Sequence, residues 1–208
     1  RRREDVLSVS HTDDPRVPRE NRENRVIVRL HPDCSLPELA RGRPFLSSAA
    51  CGVCGRAVVD DLTRALPPLP TTQSVSAPVL NSLGARLREE QSTFHRTGGI
   101  HATGLFDLGG DLILRREDIG RHNATDAVVG ASLLAGQIPL DKHIALVTGR
   151  VGYEIVQKCW VAGVPILAAI GAPSSLAVDM ALEANMTLAG FLRDGRFNVY
   201  SAPERIAE

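Results

Sequence analysis

The sequence predicts one α/β domain in which the carboxy-terminal part forms a mostly parallel sheet covered by helices, with a β-hairpin added to it. Its 208 residues, 43% of them hydrophobic, are enough to bury a single core. In the last third, apolar runs of strand length alternate with runs of helix length, which is the pattern of a βαβαβ unit with parallel strands. Two apolar segments joined by LGGD indicate the hairpin.

The first part of the chain offers few regular elements. Residues 1–25 are charged and show little periodicity, so we expect a turn-rich or mobile segment there. VIVRL, 26–30, follows as a short strand. The prolines of LPPLPTT, 66–72, then stop any helix that begins after Gly55.

The middle of the chain predicts a helix and then the hairpin. Apolar residues recur at helical spacing from Pro78, with Ser76 near the cap position, so a helix should run to about Phe94. TGGIHATGLFD, 97–107, becomes a strand, and LILRR returns as its partner after the LGGD turn. EDIGRHNATDAVVGASLLAG, 117–136, is a loop entering a helix that ends at its last glycine.

The last third alternates strands and helices of similar length. The predicted strands are 144–148, 165–170, 186–192 and FNVYS from Phe197, and the predicted helices are 151–163 and 175–185. The first three strands should be parallel and covered on both faces, and FNVYS should return antiparallel after the DGR turn.

Composition excludes several classes of function. Lysine plus arginine equals aspartate plus glutamate, at 24 each, so no net charge draws the chain to nucleic acid or to an anionic membrane. No apolar run approaches the roughly 20 residues that span a bilayer, and no signal peptide is visible. We therefore expect a cytoplasmic protein, in which four cysteines favour chemistry or metal binding over disulfides.

The loops that leave the predicted parallel strands form one candidate site. Ligands of open parallel sheets bind outside the carboxyl ends of the strands. Two of the loops lead into helix amino termini, which favour phosphate, and Arg150, Arg193 and Arg196 add bidentate donors. The alternative is that the glycines serve backbone geometry and the arginines are solvated. The loops are TGR at 148–150, GAPSS at 171–175 and RDGR at 193–196.

Two histidines allow a functional and a structural interpretation. In GRHNATD, 120–126, His122 and Asn123 could recognise a base edge or a cofactor ring, or the segment could simply cap a helix. His101, in GGIHATG, is either a ligand contact or a satisfied strand histidine.

The CGVCG segment leaves metal, redox and sulfur chemistry open. A structural zinc site needs four ligands, and Cys34 and Cys159 stand outside any paired spacing. Zinc deaminase chemistry needs H-x-E before P-C-x-x-C, and neither is present. The flanking glycines and the following prolines argue against a thioredoxin-like helix. What they favour is a loop that presents a thiolate at Cys51 or Cys54, which could carry sulfur as a persulfide.

Four motifs in order resemble the FdhD family of formate dehydrogenase accessory sulfurtransferases. They are CGVCG, TGGIHATGLFD, DIGRHNATDAVVG and the long run from TGRVGYEIVQKCW to FNVYS, and the resemblance covers residues 47–201. The resemblance implies a three-layer fold similar to cytidine deaminases. It also implies a cytoplasmic homodimer that takes sulfur from a cysteine desulfurase and delivers it to the molybdenum cofactor, as formate dehydrogenase requires.

The resemblance also assigns the site residues. Cys51 is the implied persulfide carrier, with Cys54 as its helper, and no resident metal is implied. The substrate is the bis(molybdopterin guanine dinucleotide) form of the cofactor, and GDP-like ligands are expected to occupy its site. The implied cofactor-binding residues are Phe191, Leu192, Arg193, Asp194, Gly195 and Arg196, with Thr148, Gly149, Arg150, His122 and Asn123.

The chain departs from the family pattern at several points. Ala127, Cys159 and Gly171 stand where lysine, alanine and serine are more common, and the amino-terminal part that is usual in the family would be expected to precede Arg1. We divide the chain, as one domain overall, into a charged segment with the first strand, the C-x-x-C region and the cofactor-binding core. These parts are 1–46, 47–72 and 73–208.

Overall fold

The computed structural model describes residues 3–34, 66–193 and 195–207. Within these ranges none of the helices has both the length and the apolar character needed to cross a bilayer. The strands are β1 Val6–His11, β2 Val26–Leu30, β3 Val75–Ser76, β4 His101–Asp107, β5 Leu112–Asp118, β6 His143–Val147, β7 Ile166–Ala169, β8 Thr187–Arg193, β9 Arg196–Ser201 and β10 Ile206–Ala207. The helices are α1 Arg19–Arg22, α2 Ala77–Glu90, α3 Ser92–Thr97, α4 Arg121–Leu134, α5 Tyr153–Ala162 and α6 Ser175–Glu183.

The central sheet has six strands in the order β5-β4-β6-β7-β8-β9. The β6–β7 and β7–β8 pairings are parallel, and the other three pairings are antiparallel. The parallel arrangement that the sequence predicts is therefore limited to three central strands. The sheet as a whole is mostly antiparallel, because the hairpin pairs with β6 on one side and β9 closes the other.

Helices cover both faces of this sheet. Ala145 and Val147 of β6 pack into one hydrophobic cluster with α4, α5 and α6. Ile144 and Leu146 face the opposite way, into a second cluster with α2. This alternation is what a strand buried on both faces requires. The result is a three-layer arrangement of helices, sheet and helix; its likeness to the cytidine deaminase fold stays a prediction.

Helix α2 supplies the core of the second face. The Ser76 hydroxyl accepts a hydrogen bond from the Val79 N–H at 3.4 Å, so the predicted cap is confirmed. Leu80, Leu83 and Leu87 are at most 1% exposed. Burying each of these side chains contributes about 1.5–3 kcal/mol relative to leaving it exposed.

The predicted end of this helix near Phe94 is wrong. Helix α2 ends at Glu90, because the backbone of Gln91 has a ψ of 72° and leaves the helical region. The chain then forms the separate six-residue helix α3 before the strand β4. The break turns the chain at Gln91, whose side chain is buried.

The amino-terminal segment is more regular than predicted. Strand β1 pairs antiparallel with the predicted strand β2, placing Val9 opposite Val28. The expectation of an irregular segment over residues 1–25 was wrong for this stretch. The strand lacked a sequence signal because its side chains, apart from that of Val6, are exposed and no buried face imposes alternation.

The segment at 66–72 carries no helix or strand, as its prolines predict. It is held by side chains of the core instead. Trp160 Nε1 donates to the Pro67 carbonyl at 3.0 Å, and Asn185 Nδ2 donates to the Leu69 carbonyl at 2.8 Å. Arg205, which is fully buried, donates to the Pro70 carbonyl at 2.8 Å.

Candidate functional site

A cavity of about 750 Å³ lies where β6, β7 and β8 end and β4 begins. This volume is in the range of small-molecule pockets, roughly 300–1,000 Å³. Helices α2 and α3 form one wall, and the strand ends form the other. The lining residues are Asn81, Gly84, Ala85, Arg88, Gln91, Phe94, Gly98, Gly99, Ile100, His101, Thr148, Ile170, Leu192, Arg193 and Gly195.

The loops after β6 and β7 and the end of β8 pack side by side. The Gly171 N–H donates to the Gly149 carbonyl at 3.3 Å, and the Phe191 N–H donates to the Gly171 carbonyl at 3.2 Å. A Cβ on Gly171 would lie 2.7 Å from the Gly149 oxygen, and one on Gly190 would lie 2.8 Å from Pro173 Cδ. Close approach of the backbones therefore requires glycine at both positions.

Four of the predicted cofactor-binding residues line the cavity: Thr148, Leu192, Arg193 and Gly195. The Thr148 hydroxyl accepts from the Ala102 N–H at 2.9 Å, and it lies 3.4 Å from His101 Nδ1. His101 is thus a strand residue that also lines the cavity.

The end of β8 has an unusual backbone. Phe191 adopts a φ of 57°, a left-handed conformation that costs a non-glycine residue about 1–3 kcal/mol. The pairing of β8 with β9 shifts register between Gly190 and Arg193, which is a bulge or a similar irregularity of the ladder. Bulges redirect side chains at strand ends, and here Leu192 and Arg193 face the cavity.

The other residues of the predicted set that the structure describes lie beside the cavity and do not line it. Gly149 packs against Arg121, because a Cβ there would lie 2.8 Å from Arg121 Cδ. Arg150 and Arg196 are exposed, and Phe191 is 37% exposed. Asp194 lies outside the described residues.

His122 and Asn123 are not among the residues that line the cavity. Asn123 Nδ2 donates to Asp118 Oδ1 at 3.0 Å, and the same oxygen accepts from the Gly120 N–H at 2.7 Å. This network closes the turn that enters α4. Partial burial lowers the pKa of His122, and the Arg121 guanidinium lowers it further. Their assignment to a nucleotide pocket stays a prediction.

The helix amino termini do not line the cavity either. Ser174 Oγ accepts from the Ala177 N–H at 3.2 Å, so this hydroxyl caps α6. Helix α5 begins after Gly152 without a side-chain cap. The two termini that were expected to contact phosphate therefore lie outside the cavity lining.

Helix α2 provides the cavity residues that the sequence analysis missed. Asn81, Gly84, Ala85 and Arg88 follow one another at the spacing of one helix face, beside the buried leucine face. Arg88 lies over the Phe94 ring of α3, with its guanidinium carbon 4.7 Å from the ring centroid. The signal available in the sequence is the polar and small-residue stripe in NSLGARLR, which the leucine periodicity leaves unexplained.

The structure describes some of the cysteines but not those of the C-x-x-C pair. Cys51 and Cys54 lie outside the described residues. Cys159 is 1% exposed, and burial raises the pKa of its thiol to about 12, so it is a core residue and not a nucleophile. In the described ranges no three His, Cys, Asp or Glu side chains are grouped to hold a metal ion.

The chain is similar in sequence to one known protein family and to proteins from several organisms. A family model described as the FdhD/NarQ family matches residues 1–207. A sulfur carrier protein FdhD from Streptomyces avermitilis is 46% identical over 190 residues, which is 90% of this chain and 67% of the relative. A protein of the same name from Sulfurisphaera tokodaii is 44% identical over 203 residues, covering 98% of this chain and 73% of the relative.

A solved structure has the same fold. It is a crystal structure from Desulfotalea psychrophila, described as that of a candidate formate dehydrogenase accessory protein. It aligns with a TM-score of 0.73 over 99% of this chain and 73% of its own, at 24% sequence identity. At that identity the likeness bears on the fold alone.

Proposed function

The chain belongs to the FdhD/NarQ family, and from this premise we propose that it is a sulfur carrier that serves formate dehydrogenase. It takes up sulfur as a cysteine persulfide and delivers it to the molybdenum cofactor, which it binds as a substrate in the bis(molybdopterin guanine dinucleotide) form. The observation that carries the proposal is the similarity, over nearly the whole chain, to relatives named as sulfur carrier proteins.

Cys51 is the proposed acceptor of sulfur. Its thiolate attacks the outer sulfur of a persulfide held by a cysteine desulfurase. A new S–S bond forms at Cys51, the S–S bond of the donor breaks, and the donor cysteine leaves as a thiolate. The exchange involves no net oxidation or reduction.

Cys54 is the proposed resolving thiol. Its thiolate attacks Sγ of the Cys51 persulfide, and the outer sulfur leaves as sulfide for the metal of the cofactor. The two electrons that reduce this sulfur come from the two thiols, which become a Cys51–Cys54 disulfide. A cellular dithiol reductant then restores the pair.

We assign the nucleotide end of the cofactor to the cavity beside the strand ends. Arg193 lines this cavity, and a guanidinium binds phosphate oxygens in a bidentate manner. Thr148 adds a hydroxyl, and Leu192 with Ile170 adds apolar surface. A GDP-like ligand carries the same nucleotide and should occupy the same space.

The proposal includes the partners and the setting that the family resemblance implies. Sulfur comes from a cysteine desulfurase, and the sulfurated cofactor goes to formate dehydrogenase. The protein works in the cytoplasm as a homodimer.

The alternative is a chaperone that binds the molybdenum cofactor without transferring sulfur. The cavity is compatible with it, because its described lining contains no cysteine. The two functions differ in their need for Cys51.

Complementation separates the two functions. Cells lacking the native protein are supplied with the wild-type chain, with Cys51→Ala or with Cys159→Ala as the matched cysteine control, and formate dehydrogenase activity is measured. We expect the control to restore activity and Cys51→Ala to fail. Full activity with Cys51→Ala would reject sulfur transfer and favour the chaperone.

A further inference from the structure

One arginine of the cavity wall is held by an aromatic ring and not by an acidic side chain. Arg88 lies in the last turn of α2 and lines the cavity. Its guanidinium carbon lies over the Phe94 ring, 4.7 Å from the ring centroid. In the parts of the chain that the structure describes, this guanidinium makes no hydrogen bond or ion pair. Its N–H donors are therefore available to a ligand.

The Phe94 ring is itself fixed through its backbone. The Phe94 N–H donates to Glu117 Oε1 at 3.0 Å, and the Thr93 N–H donates to Glu117 Oε2 at 3.1 Å. The Glu117 side chain is only 6% exposed and belongs to the strand β5. Phe94 is the third residue of α3, so its ring stands on the turn that this carboxylate joins to the central sheet.

Helix α3 is also joined to the last turn of α2. His95 Nε2 donates to the Arg88 carbonyl at 2.8 Å. A helix of six residues is not stable by itself, so contacts of this kind determine where α3 stands. Both the backbone and the guanidinium of Arg88 are thus in contact with a helix whose position Glu117 fixes.

A structural role explains only part of this arrangement. A basic residue near the carboxyl end of a helix is favourable, because the helix dipole is negative there. Arg115 nevertheless takes the acidic groups nearby: it lies 3.8 Å from Glu90 and 3.5 Å from Glu117. Arg88 is left over a ring at the cavity wall. A guanidinium in that position is explained if the ligand supplies the anion.

We propose that Arg88 binds an anionic group of the ligand in the cavity and that Phe94 and Glu117 are positioning residues that act through it. The inference rests on the proposed function, whose substrate carries phosphate groups, and adds to it a contact from the helical wall of the cavity. A guanidinium already held in place over a ring loses less conformational entropy when the ligand binds. Glu117 does not line the cavity, so its effect on binding must be indirect.

The affinity for GDP, measured by calorimetry at neutral pH, tests the contact of Arg88. We expect Arg88→Gln to weaken binding about ten- to hundredfold, as the loss of a charge-assisted hydrogen bond does. Arg96→Gln is the matched control, because it removes the same charge from an exposed position of α3 outside the cavity lining. It should change the affinity less than about twofold, since solvent and salt screen that charge. Equal losses in the two variants, or no binding of GDP by the wild-type chain, would overturn the contact.

A double-mutant cycle tests the positioning role. Glu117→Gln and Phe94→Leu should each weaken binding of GDP about two- to fivefold, the size of an exposed cation–π contact. In the Arg88→Gln background Glu117→Gln should have no further effect. A merely structural role of Glu117 would lower the affinity by the same factor in both backgrounds, and this result would reject positioning. If Glu117→Gln does not fold, Phe94→Leu is carried through the same cycle with the same two outcomes.

Persulfide loading of Cys51, measured on the same chains, separates this inference from the proposed function. Absence of loading in the wild-type chain, with the Arg88 effect on GDP intact, would reject the proposed function and leave the Arg88 contact in place. Normal loading, with the same GDP affinity in Arg88→Gln and the wild type, would reject only the contact.

Discussion

The hydroxyl of Thr148 accepts a hydrogen bond from the backbone N–H of Ala102 at 2.9 Å. This bond joins the end of β6 to the start of β4 at the wall of the cavity, and Ala102 is 1% exposed. Replacing Thr148 by valine keeps the shape and leaves the buried N–H unpaired. We expect a loss of about 1–3 kcal/mol in the free energy of unfolding, measured by urea titration.

A Thr148→Ser variant is the matched control for this contact. It restores the hydroxyl and should recover most of the lost stability. Equal stabilities of the valine variant and the wild type would show that the Ala102 N–H finds another partner.

Glu117 stabilises the short helix α3 from the neighbouring strand β5. Its carboxylate accepts from the Thr93 N–H at 3.1 Å and from the Phe94 N–H at 3.0 Å. Helix α3 has no side-chain cap of its own, so Glu117 takes that role. We expect Glu117→Gln to lower the free energy of unfolding by about 0.5–2 kcal/mol at pH 7.

The effect of Glu117 should depend on pH. Burial raises the pKa of this carboxyl, but the N–H donors of Phe94 and Thr93 outweigh burial and hold the pKa below its usual value of 4.5. A lowered pKa stabilises the fold above the unfolded-state pKa, and this contribution is lost as the pH falls through the folded-state pKa. The stability difference between wild type and Glu117→Gln should therefore shrink below about pH 4.5. A constant difference down to the acid transition would contradict this role.

Ala85 tests whether the cavity is the nucleotide site. Ala85→Leu places a large side chain on the cavity face of α2, at a position exposed to solvent in the ligand-free chain. The affinity for GDP should fall at least about tenfold, with a change of no more than about 0.5 kcal/mol in stability. Ala127→Leu, on the exposed face of α4, is the control. Unchanged binding of GDP by Ala85→Leu would place the nucleotide elsewhere.

Cys159 should be chemically inert in the folded protein. The thiol is buried in the core cluster, and burial raises its pKa to about 12, so almost no thiolate forms at neutral pH. Iodoacetamide labelling followed by peptide mass mapping should modify Cys159 only after denaturation. Rapid labelling of Cys159 in the native chain would show that the core opens around α5.

The carboxy-terminal fold was predictable because several local signals agree there. Helix α5 ends at Ala162, next to the predicted end at residue 163, and Gly163 forms its left-handed C-cap with a φ of 81°. The buried strands on either side are continuous apolar runs, and their period and length indicated strands and not helices. Strand β1 was not predictable, because it is stabilised by pairing with β2 and not by burial of its side chains.

The site was predictable only in part. The predicted topology places the strand-end loops together, and this expectation identified Thr148 and Arg193 as site residues, both of which line the cavity. Gln91 was missed because the helix was expected to continue through it. A polar residue at that helical position would have been assigned to the solvent-exposed face. Asn81 was missed because a polar residue beside a leucine stripe usually faces water.

The proposed function depends on Cys51 carrying sulfur as a persulfide. The most direct test is the intact mass of the Cys159→Ala chain after incubation with a cysteine desulfurase and L-cysteine, with peptide mapping under non-reducing conditions. We predict a gain of one sulfur atom, located at Cys51, removed by a thiol reductant and absent from a Cys51→Ala variant. Failure of the chain to gain sulfur, or a gain of the same sulfur by Cys51→Ala, would contradict the account.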